Sequence, residues 1–168
     1  GAEVFPGSSL PNAMVQVSPV TKFHSGAGYQ YEDSVIYGFT HTNKGHWNLC
    51  HIPLLPVTGT PTPGDYCSPF SHERESAAPG YYQVFLDRYG VDAQLSSTLR
   101  CAFHKYTYPA GAAASLLADL QRSNEHVRAW DIRKEGDNVF AGWQQTGEKM
   151  YFYAVANRPV TGIEPVVE

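Results

Sequence analysis

Between Val91 and Phe103 the chain alternates. Val91, Ala93, Leu95, Leu99, Cys101 and Phe103 interleave with Asp92, Gln94, Ser96, Thr98, Arg100 and Ala102. A period of two over that length predicts one long strand with a buried and a wet face, Ser97 interrupting the apolar row. Residues 81–87 precede it and pair naturally across the turn Arg88-Tyr89-Gly90, which predicts a hairpin. A similar pair spans 127–133 and 139–143 around Glu135-Gly136-Asp137-Asn138, and residues 150–155 form the last strong strand. Nearer the start, Met14-Val15-Gln16-Val17 reads as a short strand stopped by Ser18-Pro19, and residues 35–42 (Val-Ile-Tyr-Gly-Phe-Thr-His-Thr) as another. The apolar run 52–57 contains Pro53 and Pro56, which restricts it to a sheet edge at best. Thr58-Gly59-Thr60-Pro61-Thr62-Pro63-Gly64-Asp65 is a loop.

One segment is contested. Residues 112–122 are rich in helix formers, and Leu116, Leu117 and Leu120 have helical spacing. Leu116, Ala118 and Leu120 also alternate, and strands on both sides leave an edge that needs a partner. A strand over 115–120 is therefore expected.

Composition agrees with an all-β chain. Eleven Tyr and eight Phe suit a pleated, half-buried surface, while fifteen Gly and twelve Pro in 168 residues punctuate it with turns. The net charge of −4, with no basic cluster denser than residues 128–134, argues against nucleic acid as a partner. No stretch approaches about 20 apolar residues, so no membrane span is predicted. The opening Gly1-Ala2-Glu3 is not a signal peptide. Cys50, Cys67 and Cys101 are an odd set without a CxxC pair. Cys101, on the apolar row, is expected buried, reduced and unreactive, whereas Cys50 and Cys67 lie in loops, and whether they meet is left open.

Four stretches in order carry a resemblance. They are Phe5-Pro6-Gly7 with Pro11 and Met14-Val15-Gln16-Val17-Ser18-Pro19; Gly28-Tyr29-Gln30-Tyr31 with Ile36-Tyr37-Gly38-Phe39-Thr40-His41-Thr42; Ser71-His72-Glu73-Arg74-Glu75-Ser76-Ala77-Ala78-Pro79-Gly80-Tyr81-Tyr82-Gln83-Val84; and Phe103-His104-Lys105-Tyr106-Thr107-Tyr108-Pro109. Together they resemble the N-terminal domain of glycoside hydrolase family 92, with Gly142-Trp143 and Tyr151-Phe152-Tyr153 continuing the likeness more loosely. The chain departs from the family pattern at Pro11-Asn12-Ala13-Met14 and in the loop Thr42-Asn43-Lys44-Gly45-His46-Trp47-Asn48.

The resemblance implies an antiparallel β-sandwich of the galactose-mutarotase-like supersandwich type. Residues 1–168 would be an incomplete N-terminal domain, and its partner a catalytic (α/α) barrel. It implies an inverting α-mannosidase that uses calcium, with acid, base and calcium ligands mainly on the barrel. The domain would line the sugar pocket, bind mannose-containing glycans, be inactive alone and hold no cofactor itself. Such enzymes are exported, so a secreted, periplasmic or cell-surface location is expected from the family. A stand-alone carbohydrate-binding sandwich without catalysis is the alternative function, and a structural or adhesion module a third.

Candidate residues follow. Trp47, His46 and Asn48 lie in the loop Gly45-His46-Trp47-Asn48-Leu49-Cys50-His51. A Trp face suits sugar C–H groups, and His and Asn supply directed hydrogen bonds. The competing reading has Trp47 plugging one end of the sandwich. Phe5, in the opening Phe-Pro-Gly element that the resemblance places near the pocket mouth, is a further substrate contact or else a core residue. His46, Cys50 and His51 match no common zinc spacing. Ser71-His72-Glu73-Arg74-Glu75, taken as extended, separates Ser71 from His72. It sets Glu73 beside Glu75, too close for inversion, which needs about 6.5–9.5 Å. Those two carboxylates are expected to pair with Arg or Lys. Trp130 and Trp143 are expected in the core.

Overall fold

A computed structural model of the chain describes Pro6 and residues 14–44 and 47–166. Seven strands come first: β1 (Ser18–Val20), β2 (Val35–Ile36), β3 (Gly38–Thr40), β4 (Asn43–Lys44), β5 (Trp47–Asn48), β6 (Leu54–Thr58) and β7 (Ser68–Pro69). After a 3₁₀ turn at His72–Arg74 come β8 (Glu75–Ala78), β9 (Tyr81–Leu86), β10 (Val91–Ser97), β11 (Ala102–Thr107) and β12 (Ala114–Ala118). The last three are β13 (Ala129–Gly136), β14 (Val139–Gln145) and β15 (Lys149–Val155). No α-helix occurs among the described residues.

The two larger sheets have orders β1-β3-β6-β12 and β11-β10-β9-β8, antiparallel throughout. They face one another across the main core. One side contributes Phe39, Leu55 and Val57, the other Tyr82, Val84, Leu86, Val91, Ala93 and Leu95. This is the β-sandwich expected. A third sheet, β13-β14-β15, covers the opposite face of the first. There Leu54, Ile52 and Leu120 meet Leu116, Ala118, Ile132, Met150 and Phe152. Gly142 lets β14 approach β13, because a Cβ there would lie 2.0 Å from the Asp131 carbonyl oxygen and 2.8 Å from the Phe152 ring.

The contested segment is a strand. β12 pairs with β6 from Ala114↔Thr58 to Ala118↔Leu54, so its leucines alternate between the two cores. Sheet context outweighs helix propensity here because the β6 edge offers a full set of backbone partners.

Four strand readings and the burial of Trp130 need correction. The strand near the start is Ser18–Val20, beginning where a stop was expected. Pro19 is tolerated because β1 is a sheet edge. The run 35–42 breaks at Tyr37, with β2 pairing β7 while β3 joins the first sheet. The run 52–57 is not an edge, since β6 lies between β3 and β12. It accepts Pro56 because β3 pairs with it only through Phe39 and Leu54, leaving a neighbour on one side at the proline. The long strand 91–103 is two strands. Thr98 turns the chain by donating its N–H to the Cys101 carbonyl (2.8 Å) and accepting the Cys101 N–H on its hydroxyl (3.1 Å). A hydroxyl-built turn of this kind does not disturb a period-two pattern. Trp130, expected in the core, is 43% exposed. It lies toward the start of β13, an edge strand of the third sheet.

Cys101 on that turn is exposed, contrary to its expected burial, while Cys50 is buried, and all three cysteines are free. Burial pushes the Cys50 thiol up to about 12, which makes it a poor nucleophile. A thiol reagent is therefore expected to label Cys101 in the native protein and Cys50 only after denaturation. Peptide mass spectrometry of briefly labelled protein checks this, and native labelling of Cys50 ahead of Cys101 would contradict it.

Candidate functional site

Asn43 and Lys44 pair with Asn48 and Trp47 in a short hairpin whose tip, residues 45–46, lies outside the described residues. His46 and Phe5 therefore have no structural description. Trp47 is 54% exposed and stands opposite Lys44, so an indole and an ammonium share one end of the hairpin. Lys44 was not singled out from the sequence, and only its pairing with Trp47 reveals it. Asn48 points inward and is buried. Its Oδ1 accepts the Cys50 N–H (2.8 Å) and the Thr40 hydroxyl (3.3 Å), while its Nδ2 has no hydrogen-bond partner among the described residues. Gly28 at φ +71° gives Asn48 and Cys50 their space, since a Cβ would come 2.8 Å from Asn48 Nδ2 and 3.0 Å from Cys50 Sγ.

Below the hairpin runs a line of imidazoles and hydroxyls. His51 accepts the Thr42 hydroxyl on Nδ1 (2.7 Å) and donates from Nε2 to Glu125 Oε2 (2.7 Å), which also receives the Thr146 hydroxyl (2.8 Å). Burial alone would raise the Glu125 carboxyl, but the hydrogen bonds from Thr146 and His51 prevail and hold it below its ordinary value. His41 donates from Nδ1 to the Ile52 carbonyl (2.9 Å), and its Nε2 meets His104 Nε2 (3.0 Å). His104 Nδ1 faces the Tyr106 hydroxyl (2.5 Å). The Ile52 carbonyl fixes the His41 proton on Nδ1, so His104 carries its own on Nε2 and accepts from Tyr106. Removal from water lowers His41 to about 4 and His104 well below the usual histidine value.

The Ser71–Glu75 stretch differs from the extended strand expected. Ser71 caps a 3₁₀ turn, accepting the Glu73 N–H, and the strand starts at Glu75. Glu73 and Glu75 thus do not stand side by side on a strand. Nor does Glu75 pair with Arg or Lys. Its carboxylate accepts the hydroxyls of Tyr29 (3.0 Å) and Tyr82 (2.6 Å) and the His72 ring N–H (2.8 Å). Glu75 raises His72, as does the Tyr31 carbonyl. The constellation ties the loop at Tyr29 and the 3₁₀ turn at His72 to the β8–β9 edge of the second sheet.

Among the described residues no group of three or more His, Cys, Asp or Glu could hold a metal ion. His51 and Cys50 are taken up by the contacts above. No helix is long and apolar enough to cross a membrane. On the third sheet, Tyr151 (72% exposed), Tyr153 (70%) and Val155 (66%) share the outer face with Trp143, whose ring lies 3.9 Å beneath the Lys149 ammonium.

Comparison with known proteins gives a consistent result. The model of the glycosyl hydrolase family 92 N-terminal domain matches residues 1–167. A family 92 α-mannosidase of Bacteroides thetaiotaomicron is 26% identical, with a TM-score of 0.88 over 95% of this chain and 24% of its own. The same enzyme in complex with mannoimidazole gives 28% identity and a TM-score of 0.85 over 95% and 24%. A further family 92 glycosyl hydrolase gives 27% and 0.74 over 90% of this chain and 24% of its own. No curated protein matches the chain. The chain spans about a quarter of the length of these solved enzymes. By the match over nearly all its residues, this chain belongs to the glycosyl hydrolase family 92 N-terminal domain family.

Proposed function

We propose that this domain lines the sugar pocket of an inverting, calcium-dependent α-mannosidase that acts on mannose-containing glycans, and that it packs on that enzyme's catalytic barrel. The observation that carries the reading is Trp47, a half-exposed indole at a hairpin end beside a lysine. A flat apolar ring next to a directed donor is the pairing that sugar recognition uses. The names of the structural relatives, α-mannosidases, supply the sugar class. The aromatic outer face of the third sheet supports packing on a further domain, because contiguous exposed apolar surface of this kind is normally covered. The described residues lack the carboxylate cluster that calcium needs, so on this reading the ion is held elsewhere in the enzyme. Export is the location that suits a glycan-degrading enzyme.

In the enzyme that carries this domain, Trp47→Ala is expected to raise KM for an α-linked mannobiose about tenfold, equivalent to about 1.4 kcal/mol, with kcat little changed. An unchanged KM would remove the sugar contact from this loop. The 168-residue chain alone is expected to turn over no aryl α-mannoside, with or without calcium. General acid–base catalysis contributes about 10²–10⁴-fold and needs carboxylates that the proposal places on the barrel. Release of the aryl group that survives purification and disappears with Glu73→Gln would contradict this.

A further inference from the structure

Among the described residues three non-glycine residues have positive φ: His24 (60°), Cys50 (53°) and Ile52 (54°). Such a conformation costs about 1–2 kcal/mol for an L-residue, and a β-branched side chain is the worst case. His24 is remote in sequence from Cys50 and Ile52, yet all three gather under the Trp47 hairpin, where Asn124 bonds both the His24 N–H and the Asn48 carbonyl. Each is held by the same device. The His24 N–H is bound by Asn124 Oδ1, the Cys50 N–H by Asn48 Oδ1 and the Ile52 N–H by Gln144 Oε1, so a side-chain amide oxygen captures the backbone in every case. Strain retained in this way persists only where the surroundings over-determine it.

Asn124 is the hub. Besides His24, it donates from Nδ2 to the carbonyls of Ser25 (3.0 Å) and Asn48 (2.7 Å), and its own N–H donates to the Leu49 carbonyl (3.0 Å). Its neighbour Glu125 fixes His51, and through His51 the hydroxyl of Thr42 at the other foot of the hairpin. Gln144 closes the set by donating to the carbonyls of Leu120 (3.0 Å) and Arg122 (2.8 Å), just before the Asn124 turn. Both feet of the hairpin, at Thr42 and at Asn48–Leu49, are thereby tied to two consecutive residues some 75 positions away, as the separation of 76 between Asn124 and Asn48 records.

We infer that Asn124 and Glu125 are positioning residues for the sugar contact, forming a polar clasp that holds the strained 48–52 segment and so aims the Trp47 ring. The inference rests on the sugar-binding reading of Trp47. Asn124 bonds the Asn48 carbonyl and Glu125 the His51 ring, both next to the hairpin. Their effect passes through the backbone of the hairpin, and it matters because misplacement of a binding group by about 1 Å costs about 10²-fold in an extreme case.

The test is a double-mutant cycle in the full enzyme that carries this domain, with an α-linked mannobiose as probe. Asn124→Ala is expected to raise KM about tenfold with kcat within about twofold. The Trp47→Ala/Asn124→Ala enzyme is expected to have no higher KM than Trp47→Ala alone, because a clasp has nothing left to aim. Where Asn124→Ala does not yield folded enzyme, Glu125→Ala takes its place. Glu125→Gln, which keeps an acceptor for His51 and Thr146, is expected to restore KM to within about twofold. Multiplicative effects in the double variant, or an unchanged KM in both Asn124→Ala and Glu125→Ala, would overturn the clasp while leaving the Trp47 contact standing. An unchanged KM in Trp47→Ala would overturn the contact itself, and the clasp with it.

Discussion

Replacing Glu75 with alanine is expected to destabilise the domain by about 3–5 kcal/mol. Tyr29 and Tyr82 are buried, and both hydroxyls end on this carboxylate, as does the His72 ring N–H. Removing the acceptor strands two donors away from water, each at about 1–3 kcal/mol, and disturbs a third at the rim. Both tyrosines have hydroxyls pushed up, first by burial and then by the neighbouring Glu75, so neither escapes by ionising. Glu75→Gln keeps one acceptor oxygen but turns an amide NH₂ toward a hydroxyl, and about 1–2 kcal/mol is expected. Urea titration followed by fluorescence measures both. A loss below about 1 kcal/mol in Glu75→Ala would mean that water replaces the carboxylate.

Acidification is expected to produce a loss of similar size. His41 titrates near 4 in the folded state against 6.5 unfolded, and His104 is also lowered well below the usual histidine value, in both cases because burial disfavours the charged ring. Between those values the unfolded chain binds protons that the folded one does not, so stability is fully present above pH 6.5 and falls as pH drops toward 4. The His41 contribution is about 2–3 kcal/mol. The two rings share one hydrogen bond, so the first proton to enter breaks the line Ile52–His41–His104–Tyr106. His72 works in the opposite sense. Its raised value contributes stability below pH 6.5 that disappears as pH rises through the folded value. Denaturation midpoints at pH 7 and pH 4.5, with ring-proton NMR to follow His41, give the result. A folded-state His41 that titrates near 6.5 would refute the assignment.

Four strands of the second and third sheets were legible from residues alone. β9, β10, β14 and β15 carry alternation long enough to outweigh other signals. The first sheet was harder to read, because layers on both of its faces make its strands apolar at successive positions. The turn at Thr98 was invisible because its chemistry lies in one hydroxyl. At the candidate site Trp47 could be named from residue type, but Asn48 could not be known to face inward. Asn124, Glu125 and Gln144 lie between 74 and 100 residues from the groups they hold at His24, Asn48, His51 and Ile52. No local pattern announces a contact of that reach, since any amide or carboxylate on a loop looks solvent-facing in a sequence.

β6 has two audiences. Leu55 and Val57 speak to the main core and Leu54 to the smaller one, with β12 repeating the arrangement through Leu117 on one side and Leu116 and Ala118 on the other. A slip of one residue in this pair would exchange the two interfaces at once, placing Leu54 where Leu55 belongs. Neither interface can drift independently, so the register of one five-residue strand acts as a shared coordinate for all three layers. The third sheet supplies Gln144 to that frame, and its dihedral grip on Ile52 is therefore inherited from how β6 is seated.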